Sequence, residues 1–98
     1  VLVADRENNR ICVFDRGGQY ITSWAGFYHP MDIAEDADGA LYVTDQVPRV
    51  SKLDENGRIV GRARPVWNVP HGMACAPNGM MFFIEMNPCS ITALKPIP

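Results

Sequence analysis

The sequence repeats itself every 40 residues, and this repeat constrains the fold more than any other feature. Residues 30–45 align with residues 70–85: a proline, an apolar segment, a turn ending in glycine and a second apolar segment recur in the same order. The second apolar segment also aligns with residues 1–5, and residues 49–54 align with residues 10–15. Because several separate positions agree in one register, the chain is predicted to be built from one repeated structural unit.

Each repeat has the pattern of four short strands separated by turns. In the central copy, segments rich in β-forming residues lie at 31–35, 41–45, 49–53 and 58–64. The turns carry Asp, Asn and Gly, and Asn56-Gly57 is a strong hairpin signal. In the fourth segment Ile59, Gly61 and Ala63 alternate with residues that are mostly arginine, so apolar and basic side chains are expected on opposite faces.

A four-stranded unit about every 40 residues is typical of a β-propeller blade. The sequence therefore predicts an all-β fold, a β-propeller fragment of about two and a half four-stranded antiparallel blades. Residues 1–30 are expected to form a partial blade, residues 31–70 a full blade and residues 71–98 a partial blade of one domain. Propellers close with about 4–8 blades, and the chain opens on Val1 inside a predicted strand. We therefore expect an excerpt whose outer edges need the missing blades of the same propeller.

Composition argues against several classes of partner. The net charge is −2, and the most basic segment, with Arg58, Arg62 and Arg64, is short, so we expect no nucleic-acid partner. The longest apolar run, residues 80–84, is far below the roughly 18 residues of a membrane helix, so we expect no membrane partner. The cysteines, at positions 12, 75 and 89, match no zinc or redox spacing and are interpreted as small buried hydrophobes.

Carboxylates recur at one position of the repeat, as Asp5, Asp45 and Glu85. A carboxylate needed once in every blade is interpreted as an acceptor for turn amides rather than as a catalytic group. Asp36 and Asp38 are also interpreted as turn residues, because the Asp-x-Asp-Gly run lacks the downstream ligands of a calcium loop.

The repeated motifs resemble a known family. Residues 30–45 carry Pro, Ile, Asp, Gly and then Tyr-Val-x-Asp, and residues 49–57 carry Arg-Val-x-x-Leu-Asp-x-x-Gly. This pattern is similar to the NHL repeat and covers nearly the whole chain. The resemblance implies a β-propeller that usually has six blades. The fold hosts many functions, so it does not decide the activity.

A narrower resemblance points to one branch of that family. Residues 3–11, Val-Ala-Asp-Arg-Glu-Asn-Asn-Arg-Ile, resemble Val-Ala-Asp-Arg-Glu-Asn-Gly-Arg-Ile of the peptidyl-α-hydroxyglycine α-amidating lyases. Residues 45–48, Asp-Gln-Val-Pro, resemble their Asp-Gln-Glu-Pro, and residues 69–72, Val-Pro-His-Gly, resemble their Met-Pro-His-Asp. The resemblance implies the C-terminal blades of a metal-dependent lyase that releases glyoxylate from peptidyl-α-hydroxyglycine-like amides.

The lyase resemblance also implies site residues. His71 matches the third of three histidines that hold a zinc ion in the central channel, and Arg6 matches an arginine that faces the substrate. The other two zinc ligands and the catalytic tyrosine would lie in blades before Val1. Gly72 replaces an aspartate that binds a structural calcium in the lyases, so the resemblance does not extend to a calcium ligand at this position.

The residues alone leave two functions open. His71 can be a residue at the rim of the channel instead of a zinc ligand, and Arg6 can be a solvated turn residue instead of a substrate contact. His29 lies in the loop before a strand and cannot complete a zinc site with His71. One hypothesis is therefore a lyase acting on a small amide or peptide substrate. The alternative is a non-enzymatic propeller scaffold that binds protein or carbohydrate ligands.

Overall fold

Three antiparallel sheets form the fold in a computed structural model, which describes residues 1–65, 67–86 and 88–95. The first blade contains three strands, the central blade four and the third blade three. The strands are β1 (Leu2–Asp5), β2 (Arg10–Phe14), β3 (Tyr20–Trp24), β4 (Asp32–Glu35), β5 (Leu41–Asp45), β6 (Arg49–Leu53), β7 (Ile59–Ala63), β8 (Val69–Cys75), β9 (Met81–Met86) and β10 (Ser90–Leu94). In these parts of the chain no helix is long and apolar enough to span a membrane.

The strand order within each blade follows the chain, as expected of a propeller blade. The sheets have the orders β1-β2-β3, β4-β5-β6-β7 and β8-β9-β10, and every neighbouring pair is antiparallel. The predicted all-β fragment of two and a half blades is therefore confirmed. The third blade begins with Val69, two residues earlier than the sequence pattern indicated, because Val69 and Pro70 still pair with β9.

Three of the hairpin turns share one hydrogen-bonding scheme. The Asp36 carboxylate accepts the amides of Asp38 and Ala40, both at 2.9 Å, and Gly39 closes the turn at φ +83°. The turns beginning at Asp15 and Asp54 have the same arrangement. Glycine suits the fourth position because other residues rarely adopt a positive φ. The interpretation of Asp36 as a turn residue is confirmed.

The core lies between the first and central blades. Ile11, Phe27, Val43 and Leu53 are buried there, with smaller contributions from partly buried apolar neighbours on both sheets. Because the side chains of a strand alternate between its two faces, each sheet contributes one row of apolar side chains to the contact between the two blades. We call this contact the first seam.

The fourth strand differs from its predicted pattern. A register shift between Lys52 and Leu53 interrupts the pairing of β6 with β7. As a result Ile59 packs against the core of the first seam. The Arg62 side chain lies on the same face of the sheet, where its Nε donates a hydrogen bond to Ser51 Oγ at 2.9 Å. The expectation of basic and apolar side chains on opposite faces is therefore wrong here, since a bulge places both on one face.

A second seam joins the central blade to the third. Strands β4 and β5 contact β8, and the Asp32 carboxylate accepts the amide of Met73 at 2.8 Å across the seam. Phe83 is fully buried, and the Trp67 ring meets it edge-on with centroids 4.6 Å apart. On the opposite face of the third blade, Ile84 and Ile91 remain 57% and 72% exposed.

Two glycines at equivalent turn positions allow the cost of backbone strain to be distinguished from the cost of a steric clash. Gly18 and Gly57 both have a positive φ, but a Cβ at Gly18 would meet no atom within 4 Å, whereas one at Gly57 would overlap the Trp24 indole. We expect Gly18→Ala to destabilise the chain by about 1–2 kcal/mol through strain alone. Gly57→Ala should cost a further amount of about 1–3 kcal/mol, because the indole must move. Urea denaturation measures both, and equal losses would show that Trp24 does not pack as described.

Candidate functional site

Asp45 is a structural acceptor at the end of β5. Its carboxylate is 1% exposed and accepts the backbone amides of Tyr28 and Val47, each at 3.2 Å. Arg49 donates to the same carboxylate from Nε at 2.8 Å. The carboxylate thereby fastens the segment before β4 to the end of β5. The prediction that this repeated acid satisfies turn amides is confirmed.

The other two acids of the repeat are satisfied by different donors. Asp5 accepts from Arg10 at 2.8 Å and from the Asn8 amide, and these hydrogen bonds lower its pKa. Glu85 accepts from the Thr92 hydroxyl and from the Asn68 backbone amide, and these bonds lower the pKa of Glu85. Both acids are therefore held as structural carboxylates, with side-chain donors taking over part of the role predicted for amides.

A group of polar side chains lies at one end of the first seam. It comprises Arg6, Asn9, Tyr28, His29 and Gln46, and we call it the loop-face cluster. Arg6 begins the short 3₁₀ turn after β1, and Asn9 ends it. Tyr28 and His29 lie just before β4, and Gln46 follows β5. The cluster thus draws on both blades, and the buried seam fixes how these connections face each other.

Gln46 connects the two blades. Its side-chain Oε1 accepts a hydrogen bond from Arg6 Nη2 at 3.3 Å and lies 3.0 Å from His29 Nδ1. Its backbone amide donates to the carbonyl of Tyr28 at 2.9 Å. Asn9 closes the group, because its Oδ1 accepts the His29 amide at 3.0 Å. One glutamine oxygen therefore positions a guanidinium and an imidazole side by side.

The backbone of the cluster is held in an unusual conformation. Asn9 and His29 have φ values of +57° and +48°, a region that is uncommon for residues other than glycine. The Tyr28 ring stacks on the His29 imidazole, with centroids 4.2 Å apart and planes 12° apart. Such conformations persist when surrounding contacts fix them, and they concentrate at functional sites.

The two predicted site residues lie on different blades. Arg6 lies in the loop-face cluster, with 42% of its side chain exposed and an ion pair to the neighbouring Glu7. His71 lies on the third blade, exposed, at the irregularity in the pairing of β8 with β9 between Pro70 and Gly72. In the described parts of the chain His71 makes no side-chain hydrogen bond, whereas Arg6 is joined to His29 through Gln46.

His29 and Gln46 are members of the cluster that the sequence interpretation did not select. The sequence did contain one signal for these two residues, since both stand at positions where the repeat is not kept. Gln46 aligns with Arg6 of the first blade, and His29 aligns with Val69 of the third blade. The contact between them depends on the positive φ of His29, which sequence spacing does not reveal.

The described residues do not fit a complete metal site. Among residues 1–65, 67–86 and 88–95 no group of three or more His, Cys, Asp or Glu side chains is placed to hold an ion. Asp32, which occupies the repeat position of Gly72, uses its carboxylate for the amides of Ile33 and Met73, both at 2.8 Å. Zinc binding at His71 would therefore need ligands from outside these three blades.

Comparison with known proteins supports the fold. No known family and no curated protein matches the sequence. Among solved structures, selenomethionine-substituted virginiamycin B lyase from Staphylococcus aureus is similar, with a TM-score of 0.76 and 20% identity. The match covers 99% of this chain and 38% of that one, so the chain spans well under half of its neighbour. At this identity the likeness shows the β-propeller fold alone.

The lowered pKa of Glu85 predicts acid sensitivity. The folded state favours the ionised carboxylate of Glu85. The resulting contribution to the stability of the fold is complete above the pKa that this carboxyl has in the unfolded chain, and it is lost as the pH falls through the lower pKa of the folded state. Glu85→Gln should therefore flatten the fall in melting temperature between about pH 5 and pH 2. Glu55→Gln, an exposed turn residue, is the control and should keep the wild-type slope. Parallel curves for wild type and Glu85→Gln would contradict the prediction.

Proposed function

We propose that this chain forms part of a β-propeller lyase and that its loop-face cluster contacts a small amide substrate bearing a carboxylate. The observation that carries the proposal is Gln46 Oε1, which holds Arg6 and His29 together across the first seam. The resemblance to the amidating lyases suggests the reaction, release of glyoxylate from a peptidyl-α-hydroxyglycine-like amide. The propeller fold shared with virginiamycin B lyase is compatible with it.

Arg6 suits the recognition of the substrate carboxylate. A guanidinium can donate two parallel hydrogen bonds to a carboxylate, which fixes both the position and the orientation of the ligand. The partner that Arg6 now holds, Glu7, has a 72% exposed side chain. Exposed ion pairs of this kind contribute little stability. A substrate carboxylate can therefore replace Glu7 while Gln46 keeps its hold on the guanidinium.

Zinc belongs to the proposal only through the lyase resemblance. His71 would supply one neutral imidazole ligand, and the bound ion would act as a Lewis acid. His71 is exposed on the third blade, so its imidazole ring is accessible. The remaining ligands would come from blades that this chain does not contain.

A non-enzymatic scaffold for protein or carbohydrate ligands is the second candidate function. Gly72 favours it, because the glycine departs from the motif that resembles the lyases. A Cβ at this position would meet Asp32 Oδ2 at an ordinary 3.9 Å, so the space itself does not require glycine. The tyrosine of the loop-face cluster, Tyr28, is 50% exposed and offers an aromatic ring to such a ligand.

Glyoxylate release by the protein containing this chain tests the proposal. We expect Arg6→Gln to raise KM by about 10- to 100-fold, since a charge-assisted hydrogen bond is lost. Arg16→Gln, in an exposed turn of the first blade, is the matched control and should leave KM unchanged. We also expect His71→Ala to lower both bound zinc and the rate.

Two results would each overturn one part of the proposal. Wild-type protein that binds no zinc and releases no glyoxylate would favour the scaffold. An unchanged KM in Arg6→Gln would remove the loop-face cluster from substrate binding even if the protein were a lyase.

A further inference from the structure

Three arginines meet at the outer edge of the central blade. Val50 pairs with Ala63, so Arg49 and Arg64, the residues that adjoin this pair, come side by side. Arg62 lies two residues before Arg64 and therefore on the same face of the sheet. We call Arg49, Arg62 and Arg64 the outer arginine cluster.

Two of these guanidinium groups contact one backbone oxygen. Nη2 of Arg49 donates to the carbonyl of Gly26 at 2.8 Å, and Nη2 of Arg62 donates to the same carbonyl. The two nitrogen atoms are therefore within about 6 Å of each other, since each is at hydrogen-bond distance from one atom. Nη2 of Arg64 lies 3.5 Å from the carbonyl of Val47, at the limit of a hydrogen bond, so this guanidinium is held loosely.

The positive charge of the cluster is only partly neutralised. In the described parts of the chain one carboxylate forms an ion pair with it, that of Asp45 with Arg49. Three guanidinium groups and one carboxylate leave an excess of two positive charges. Loss of surrounding water and the nearby charge of Arg49 both lower the pKa of Arg62, so the charged form of its guanidinium is disfavoured there. A further anion would relieve this repulsion.

The repeated scaffold accounts for only one of the three arginines. Arg49 serves the scaffold, since its equivalent in the first blade also donates to the repeated acid. Arg62 and Arg64, by contrast, align with Ser23 and Ala25 of the first blade. These two arginines are therefore not required by the repeat, and both are exposed to solvent.

We propose that the outer arginine cluster binds a phosphate dianion, either as free phosphate or as the phosphoryl group of a larger molecule. A dianion matches the excess of two positive charges, and guanidinium groups bind phosphate oxygens through pairs of parallel hydrogen bonds. Among the described residues, Nη1 of each of the three arginines has no hydrogen-bond partner, so donors are available. The cluster shares no residue with the loop-face cluster, so the inference is independent of the lyase proposal.

Phosphate titration of the protein containing this chain tests the site. Backbone ¹H–¹⁵N NMR spectra are followed at about pH 8, above the second pKa of a phosphoryl group. We expect saturable shifts of the Gly26 and Val47 amide signals and none of the Gly79 signal in the third blade. Sodium chloride at equal ionic strength is the control. The net charge of this chain, −2, provides no general attraction for anions.

Substitution of Arg64 tests whether the guanidinium holds the anion. Arg64→Gln should weaken phosphate binding by about 10- to 100-fold, because a charge-assisted hydrogen bond is lost. The fold should be little affected, since the contact of Arg64 with Val47 is long. Arg58→Gln, an exposed position next to the other end of β7, is the matched control and should bind phosphate as wild type does.

Methyl phosphate distinguishes the two sources of the anion. An affinity close to that of inorganic phosphate would show that one oxygen can carry a substituent, as in the phosphoryl group of a larger molecule. A loss of about 10-fold or more would assign the site to free phosphate.

Three results would overturn the inference. The first is that the Gly26 and Val47 signals of wild type do not respond to phosphate. The second is that sodium chloride produces the same shifts. The third is that Arg64→Gln binds phosphate as tightly as wild type and Arg58→Gln do.

Discussion

Burial of the apolar face of one sheet against the next is the interaction on which the rest of this structure depends. In the first seam Ile11, Val43 and Leu53 are excluded from water, and each comes from a different strand. A single three- or four-stranded sheet of this size cannot cover its own faces, so stability comes from stacking successive blades. The stacking also fixes the connections at the end of the seam, and the loop-face cluster is built from those connections.

A repeated scaffold with variable loop residues explains how one chain can be regular and still carry a site. Asp45 and its equivalents in the other two blades serve the scaffold, because their carboxylates are occupied by hydrogen bonds from neighbouring segments. The next position is free to vary and holds Arg6, Gln46 and Met86 in turn. The proposed site thus uses positions that the repeat does not need, which is the usual division between a fold and its site.

The sequence predicted the strands, the turns and the order of the blades because these depend on local patterns. The alternation of apolar and polar residues along a strand and the turns that run from Asp to Gly depend only on residues close together in the sequence, as in the turn from Asp36 to Gly39. The loop-face cluster was only partly predictable. The contact of His29 with Gln46 depends on a positive φ and on packing between blades, and the orientation of Arg62 depends on a bulge. Neither leaves a signal in a single sequence.

Packing between blades holds the scaffold together, and native-state hydrogen exchange tests this most directly. We predict that the amides of β5 and β6 exchange most slowly, because both strands are paired on each side and contribute buried residues to the first seam. The amides of β3 and β10, at the edges of their sheets, should exchange fastest among the strands. Equal protection in all three blades, or faster exchange in β5 than in β10, would contradict this account.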